Sequence, residues 1–384
     1  MKASERPGNG LMLARCVLAA GLLAGLAGLA GLAAPPLAGA ATPLPAPAPA
    51  HDCLAYSGIP DGFGPATDKA PNRAGLVAIP GGRFLMGADD GYPEEKPVHP
   101  VAVAGFFIDR HEVTNAQFAR FVAATGYVTR AEHAPDLPHG IQVPDAYRQP
   151  GSAVFVPPAR PSGGHAGAGH DHDDHGTTEQ HGAYQWWAWV PGANWRHPGG
   201  PDTGIEGLEN HPVVHIAYED AQAYARWLGR DLPTEAQWEY AARGGLEGAT
   251  YPWGNTPELQ GRLMANTWQG NFPAQNLVRD GYAGSAPVGC FPANGHGLWD
   301  AVGNVWEWTR DPWRPYHDPQ ASSEPPAQAH LAPGRQAATR VIKGGSFLCA
   351  PNFCVRYRPA SRQPQEAAMS TMHVGFRTVL NLEP

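Results

Sequence analysis

Apolar residues recur at helical spacing in three short segments of the chain, TNAQFARFVAATG, YEDAQAYARWLG and PTEAQWEYAARGG. Thr114 or Asn115 caps the first segment, and Thr234 with Gln237 forms a capping box at the start of the third. The pattern therefore predicts three short helices, which end at Gly126, Gly229 and Gly244. The predicted buried faces are Phe118, Phe121 and Val122; Ala221, Tyr224, Ala225 and Leu228; and Trp238, Ala241 and Ala242.

Strand-like runs are short and are separated by turn residues. VAIPGGRFLMGAD places β-type residues around a Gly-Gly turn, and VAVAGFFIDRHEV follows as another strand-like run. Glycine (47) and proline (41) are abundant, and both interrupt regular structure. Outside the three helices we therefore expect short strands, turns and long loops.

The N-terminal region resembles a secretory signal peptide. Lys2, Arg6 and Arg15 precede an apolar Gly/Ala-rich run that ends in Ala38-Gly39-Ala40, an A-x-A cleavage pattern. The alternative is an uncleaved membrane anchor, because the apolar run is nearly long enough to span a bilayer. We predict cleavage and export, to a periplasm or to the outside of the cell.

Composition shifts divide the remaining chain. Residues 41–75 are Pro/Ala-rich and are predicted to form a linker, and residues 76–384 are predicted to form one globular domain. Residues 160–183 interrupt that domain with a low-complexity insertion that contains five histidines. A Pro/Ala-rich stretch at 315–340 is a second predicted surface loop. The net charge of −8 and the absence of a long Lys/Arg run exclude nucleic acid as an expected partner.

Cysteine is scarce and unevenly placed. After signal cleavage four remain, Cys53, Cys290, Cys349 and Cys354, and an oxidising compartment favours disulfides among them. The sequence leaves three pairings open. Cys349 and Cys354 flank the turn-forming Ala350-Pro351-Asn352, so the two thiols can meet as a structural disulfide, a soft-metal site or a redox dithiol.

From residue 76 to 380 the chain resembles the formylglycine-generating enzyme (sulfatase-modifying factor) family. The stretches that carry the resemblance include GGRFLMGADD, GANWRHPGGP, LPTEAQWEYAARGG, ANTWQGNFP, GLWDAVGNVWEWTRD and KGGSFLCAPNFCVRYRPASRQ. Several of them mark a wider superfamily with other activities. The specific part is the Cys349 and Cys354 pair after Gly-Gly-Ser, which members that do not make formylglycine generally lack. The resemblance implies a single compact α+β domain related to C-type lectins, with little regular secondary structure.

The resemblance also implies an activity, an oxidase that converts the cysteine of a sulfatase Cys-x-Pro-x-Arg segment to Cα-formylglycine. The implied requirements are O2, a thiol reductant, and Cu(I) held by Cys349 and Cys354, acting on an unfolded or extended substrate. Ser346 and Trp306 match the family's active-site serine and tryptophan. Phe353 stands where the family usually has tyrosine, which leaves any role of that hydroxyl in doubt. We further expect a monomer with no stable membrane span after signal cleavage.

The same resemblance implies two calcium sites, and their oxygen-only donor sets suit that cation. The alternative is that these are ordinary surface carboxylates. The first set is Asn266, Thr267 (carbonyl), Asp280 and Tyr282 (carbonyl). The second set is Asp300, Gly303 (carbonyl), Val305 (carbonyl) and Glu307. Asp300 replaces the usual asparagine, which adds charge to the second site.

Departures from the family pattern keep other interpretations open. The positions where relatives carry structural disulfides hold Ala225, Ala241 or Ala242, Pro359 and Thr378, so those bridges are absent. One alternative is a non-catalytic lectin-like binding module with a structural disulfide. Another is a periplasmic metal-handling protein that uses the histidine-rich insertion. The sequence does not decide whether Cys53 pairs with Cys290, or whether Arg356 and Arg358 contact substrate or form structural salt bridges.

Overall fold

The computed structural model describes residues 52–68, 70–137, 140–158, 186–317 and 339–382. The predicted signal peptide, the first part of the predicted linker, the whole histidine-rich insertion and most of the second insertion lie outside the described residues. None of the helices in the described ranges is long and apolar enough to cross a bilayer.

The three predicted helices are confirmed, including their caps and buried faces. They are α1 (Asn115–Thr125), α2 (Tyr218–Trp227) and α3 (Glu235–Arg243). Thr114 and Thr234 each form a capping box with a glutamine three residues later, and Gly126 and Gly244 close their helices in the left-handed conformation. Every residue of the predicted apolar faces is buried. These helices were predictable because their signals lie within a dozen residues of one another.

The strands of the described ranges are short and scattered among loops. They are β1 (Leu76–Ile79), β2 (Gly82–Met86), β3 (His99–Val103), β4 (Phe106–Asp109), β5 (Gly151–Phe155), β6 (Trp187–Pro191), β7 (Glu258–Leu259), β8 (Arg262–Leu263), β9 (Trp306–Pro312), β10 (Thr339–Lys343), β11 (Arg362–Glu366), β12 (Val374–Gly375) and β13 (Val379–Asn381). Three 3-10 turns accompany them: Pro93–Glu95, Arg130–Glu132 and Asp145–Arg148. The domain is therefore α+β with little regular structure, as the resemblance implied.

Strand pairing joins distant parts of the chain. One sheet has the order β1-β4-β13, and a second has the order β11-β10-β9-β12, in which β12 runs parallel to β9. The remaining pairs are the two-stranded antiparallel sheets β2-β3, β5-β6 and β7-β8. The Gly-Gly turn between β1 and β2 does not form a hairpin, because β1 pairs with β4 and β2 pairs with β3. The second strand-like run is two strands, β3 and β4.

The core is rich in aromatic side chains. Trp238, Trp306 and Trp308 are fully buried, and Phe118, Tyr224 and Phe376 contact one another at ring-centroid distances of 5.2–6.4 Å. Rings of this size bury much apolar surface at a small entropic cost, since each has two rotatable bonds. Such packing fixes loops that have few backbone hydrogen bonds.

Residues 52–68, which composition assigns to the linker, pack against the domain. Phe63 is buried in the core, and the Gly58 carbonyl accepts a 2.6 Å hydrogen bond from the Thr114 hydroxyl at the start of α1. A disulfide joins Cys53 to Cys290. The second half of the compositional linker is therefore a strap on the folded domain.

A cluster of buried charges holds the end of β10. Lys343, the last residue of this strand, is fully buried, and its Nζ lies 3.0 Å from Glu239 and 3.5 Å from Glu235 on α3. Arg243 and Arg362 pair with the same two carboxylates at 2.7 Å. Lys343 lowers the pKa of Glu239 to about 2 although burial alone would raise it. These pairs fix the strand from which the cysteine segment departs.

Candidate active site

The cysteine segment leaves β10 through two glycines that no other residue could replace without strain. Gly344 and Gly345 have φ values of +96° and +74°, in the left-handed region that favours glycine. A Cβ atom on Gly345 would lie 2.8–2.9 Å from backbone atoms of Arg356 and Tyr357. The two glycines therefore let the chain before Ser346 pass close to the backbone of Arg356 and Tyr357. This close approach directs Ser346 and the cysteines toward the interior of the domain.

Cys349 and Cys354 form a disulfide across a tight turn, with their Cα atoms 4.7 Å apart. The Cys354 amide donates to the Ala350 carbonyl at 2.8 Å, and the Cys349 amide donates to the Ser346 carbonyl at 2.8 Å. Both side chains are buried, with 2% and 7% of their surface exposed. The backbone hydrogen bonds hold the two sulfurs together independently of the S–S bond, so reduction would leave two adjacent thiols.

Ser346 and Trp306 both contact His373, Ser346 through its side chain and Trp306 through its backbone. The Ser346 hydroxyl lies 3.5 Å from the His373 Nδ1 and accepts from the Leu348 amide at 3.3 Å. The Trp306 amide donates to the His373 carbonyl at 2.8 Å. Burial lowers the pKa of His373 to about 3, so its imidazole is neutral near pH 7. His373 was not predicted, because a lone histidine outside a motif carries no signal in the sequence.

Aromatic rings form a wall beside the cysteine loop. Phe353, immediately before Cys354, is 43% exposed, and its ring stacks on Phe272 at 4.4 Å and meets the edge of Trp186 at 5.6 Å. A small buried cluster lies behind it, composed of Trp268, Phe272, Phe347, Leu348 and Ala350. The wall offers a polypeptide an apolar surface next to the sulfurs and limits access of water from that side.

The two arginines after Cys354 are held in ion pairs. Arg356 pairs with Glu94 at 2.6 Å and covers the ring of Tyr92 at 3.8 Å, and Arg358 pairs with Glu95 at 2.5 Å. Of the two roles left open by the sequence, the structure supports the salt-bridge role. Both pairs tie the cysteine segment to the 3-10 turn Pro93–Glu95.

The predicted first calcium ligands lie together. Asp280 accepts from the amides of Thr267 and Tyr282 at 3.2 and 3.0 Å, and the Oδ1 of Asn266 is buried without a hydrogen-bond partner in the described structure. The Gln269 side chain reaches the same place, where its Nε2 donates to the Thr267 carbonyl and, at 2.6 Å, to Asp280. Oxygen donors with an open buried position fit a hard cation.

The predicted second set fits a cation only in part. The Oδ1 of Asp300 is buried and unpaired among the described residues, whereas both oxygens of Glu307 accept from Arg377 at 2.6 and 2.7 Å. Trp238 also donates to Glu307 at 2.7 Å. Glu307 is therefore the buried counter-ion of Arg377, and both of its oxygens already accept hydrogen bonds.

Glu112 supplies an open carboxylate near Asp300. Its Oε1 accepts from the Asn304 side chain at 3.1 Å, and its Oε2 has no partner in the described ranges. Burial, and then the Asp300 carboxylate, raises the pKa of Glu112 well above its usual value. Burial likewise raises the pKa of Asp300 to about 7. Two such buried carboxylates can share either a cation or a proton.

Glu112 was missed by the sequence because it lies far from Asp300 along the chain. The only local signal was its place in the strand-like run VAVAGFFIDRHEV, where a charge precedes a helix cap. In the part of the chain that the structure describes, no three His, Cys, Asp or Glu side chains converge on one point. Any cation site there must include amide or carbonyl oxygens.

Comparison with protein families and curated proteins gives a consistent result. Residues 64–382 match the model described as the sulfatase-modifying factor enzyme 1-like domain. The chain is 51% identical over 312 residues to the formylglycine-generating enzyme of Mycobacterium tuberculosis, which covers 79% of this chain and 97% of that protein. It is 41% identical over 307 residues to the formylglycine-generating enzyme of Mus musculus, covering 79% and 74%.

A relative with a different printed function is nearly as similar. The inactive C-alpha-formylglycine-generating enzyme 2 of Mus musculus is 40% identical over 309 residues, covering 79% of this chain and 84% of that one. Among solved structures, PvdO from Pseudomonas aeruginosa matches with a TM-score of 0.50 and 24% identity, covering 84% of this chain and 100% of that chain. That similarity shows the fold alone.

Proposed function

Because the chain belongs to the sulfatase-modifying factor enzyme 1-like family, we propose that it is a formylglycine-generating enzyme, which oxidises a cysteine of a protein substrate. Overall identity is not sufficient for this conclusion, since a relative named inactive is 40% identical. The observation that carries the proposal is the buried Cys349–Cys354 pair in a tight turn, with Ser346 at the start of that turn.

The proposed reaction balances with O2 and two reducing equivalents. The substrate thiol-bearing methylene becomes an aldehyde, sulfur leaves as hydrogen sulfide, one oxygen atom enters the aldehyde and the other leaves as water. Two molecules of a thiol reductant supply the two electrons and two protons, and they become a disulfide. A disulfide offers no thiolate to a metal, so Cys349–Cys354 must be reduced before it can bind one. The same class of thiol reductant would carry out this reduction.

Copper(I) is the proposed cofactor of the opened pair. Two adjacent thiolates are the soft donors that Cu(I) prefers, and Cys349 and Cys354 are the residues that would hold it. When bound, the metal supplies the one-electron chemistry with O2 that side chains cannot perform.

The protein's own groups have separate proposed tasks. Burial of Cys349 and the aromatic cluster behind Phe353 keep bulk water away from the sulfurs. The Ser346 hydroxyl, placed beside the neutral His373 ring, can donate to a polar atom next to the cysteine pair. Phe353 is exposed, and we propose that an extended substrate passes over it. Orienting the substrate thiol against the pair replaces a costly bimolecular encounter.

Calcium is proposed to brace the loops around this site. Asn266 and Asp280, with the Thr267 and Tyr282 carbonyls, form the first proposed site. In the second, Asp300 and Glu112 would supply the open carboxylates, and Gly303 and Val305 would supply their carbonyls. Glu307 stays with Arg377. A cation between Asp300 and Glu112 would also offset the Asp300 charge that, after burial, raises the pKa of Glu112.

The substrate and the place of action are proposed from the sequence. We infer export, because of the signal-like N-terminus, and a sulfatase segment carrying Cys-x-Pro-x-Arg that arrives extended. The protein is proposed to act as a monomer.

Mass spectrometry of a Cys-x-Pro-x-Arg peptide, incubated with the mature protein, Cu(I), a thiol and air, tests the function. We expect the mass loss that accompanies conversion of the cysteine side chain to an aldehyde, and no loss with Cys354→Ala. A matched control is the Cys53→Ser/Cys290→Ser variant, which should remain active because this disulfide lies in a different part of the chain. An unchanged peptide together with a Cys349–Cys354 disulfide that resists thiols would instead favour a binding module.

A further inference from the structure

A cavity of about 640 Å³ opens next to the cysteine segment. Its walls come from three places in the chain: the loop after β2, the loop after α3, and the segment that follows Cys354. Tyr92, Tyr251 and Val355 give it an apolar and aromatic lining. This volume is in the range of pockets that hold a small molecule or a large side chain.

The cavity begins one residue from the active-site cysteine. Val355 follows Cys354 and lies in the wall, and its amide donates to the Tyr92 hydroxyl at 3.1 Å. Tyr251 stacks on Tyr357 at 5.9 Å, which places the second wall against the same segment. An extended chain advances about 3.3 Å per residue, so a residue a few positions from the substrate cysteine can reach this cavity.

The positively charged residues that line the cavity are in ion pairs, whereas two of its carboxylates are not, among the residues that the structure describes. Its two cations are already paired, Arg243 with Glu239 at 2.7 Å and Arg358 with Glu95 at 2.5 Å. Asp89 and Asp90 also line the cavity, and neither belongs to an ion pair within the described ranges. Asp90 is exposed, and Asp89 accepts from the Val98 amide at 3.1 Å. The uncompensated charge is therefore negative.

A buried carboxylate oxygen of the residue that pairs with Arg358 lies behind the wall. Glu95 is fully buried, and its Oε2 has no hydrogen-bond partner among the described residues. This oxygen faces Gly91, which lines the cavity, so closely that a Cβ on Gly91 would collide with it. Glycine at this position thus lets the Glu95 Oε2 lie directly behind the Gly91 backbone that lines the cavity.

We propose that this cavity receives a lysine or arginine side chain of the substrate polypeptide, from a position outside the Cys-x-Pro-x-Arg segment. The inference rests on the proposed function and adds a specificity determinant to it. The aliphatic stem would lie against Tyr92 and Tyr251, and the charged head would pair with Asp89 and Asp90. An acidic pocket beside the cysteine pair selects which cysteine-containing segments are presented to it.

A lysine scan tests the proposal. Peptides with a fixed Cys-x-Pro-x-Arg core and neutral flanks carry one lysine at successive flanking positions, with glutamine at the same position as the uncharged control. One or two adjacent positions should lower KM about tenfold without changing kcat, the effect expected of two partly exposed ion pairs. The gain should vanish in Asp89→Asn/Asp90→Asn and shrink in high salt. It should persist in Asp61→Asn/Asp68→Asn, which removes two exposed carboxylates outside the cavity.

Binding is measured separately from turnover, so that failure of the cavity and failure of the function can be distinguished. Fluorescence anisotropy with serine replacing the peptide cysteine should show the same positional preference for lysine, and the same loss in Asp89→Asn/Asp90→Asn. Position-dependent binding without oxidation would support the cavity while removing the proposed function. Oxidation with equal affinity at every lysine position, or a preference that survives Asp89→Asn/Asp90→Asn, would overturn the cavity proposal.

Discussion

Two disulfides of this protein differ in almost every physical respect. Cys53–Cys290 spans 237 residues of sequence and fastens the N-terminal strap to the domain, whereas Cys349–Cys354 spans 5 and closes one turn. In the chain-entropy description, cross-links of these lengths stabilise the fold by about 5 and about 2 kcal/mol. The short bridge lies on a constrained backbone, which follows Gly344 and Gly345 at positive φ and is held by amide hydrogen bonds. The comparison shows that the long bridge should contribute more to stability, whereas the short pair adds little stability and is the one to which we assign the chemistry.

The largest expected effect is a loss of activity, which should follow removal of the Cys349–Cys354 pair but not of the Cys53–Cys290 pair. Cys349→Ala/Cys354→Ala should lower kcat/KM for peptide oxidation by at least about a thousandfold, because both proposed metal ligands are lost. The free energy of unfolding should fall by no more than about 2 kcal/mol, since the closed loop is short. Peptide mass spectrometry and urea unfolding measure the two quantities. Full activity of the double variant would remove the chemical role of the pair.

The long bridge should show the converse. Cys53→Ser/Cys290→Ser should lower the free energy of unfolding by about 3–5 kcal/mol, while kcat/KM of the folded fraction stays within about twofold. Thermal and urea unfolding, with activity measured well below the transition, give both values. A stability loss under about 1 kcal/mol would mean that the strap residues, such as Phe63, hold the N-terminus without the cross-link.

Calcium binding is expected to stabilise the loops next to the Cys53–Cys290 disulfide. Tyr282 donates to the Cys290 sulfur at 3.3 Å and the Gly289 amide donates to Asp300 at 2.6 Å, so both proposed sites adjoin that bridge. Calcium at a hundredfold excess over its Kd should stabilise the protein by about 2.7 kcal/mol per site. Calorimetry with calcium or with a chelator measures this.

Two variants distinguish the proposed ligands of the second site. Glu112→Gln should weaken calcium binding at one site, because it removes the open carboxylate. Glu307→Gln should instead destabilise the protein with or without calcium, since it leaves buried Arg377 without its counter-ion. Calcium titration by calorimetry reports the stoichiometry and affinity. Unchanged binding in Glu112→Gln would exclude this residue as a ligand.

The smallest expected effect concerns the residue before Cys354. Phe353→Tyr restores the phenol usual in the family, and the stacking on Phe272 should be retained. We expect kcat/KM to change by less than about threefold, because an exposed hydroxyl adds little to an existing stack. Steady-state peptide kinetics measure it. A gain above thirtyfold would mean that the phenol takes part in the reaction and that this chain lacks a working group.

The sequence predicted those features whose determinants are local. Helix α3, with Thr234, Gln237 and Gly244 as its signals, is an example, because all three lie within eleven residues. The pairing of β1 with β4 was not predictable, because strand partners are chosen by burial across the whole domain. The resemblance brought Asp300 to attention, but only the folded chain places Glu112 beside it. The association of Cys53 with Cys290 likewise required the three-dimensional path of the strap.

Lys343 has a consequence for the environment in which the site works. It lies two residues before Gly345, fully buried and paired with Glu235 and Glu239. Mobile ions screen exposed charge pairs within about 10 Å at 0.1 M salt, but they screen buried pairs much less. The position of the cysteine segment should therefore be nearly independent of ionic strength. At variable salinity the two sulfurs should therefore keep their position, whereas binding of a substrate in the proposed acidic cavity should weaken as the salt concentration rises.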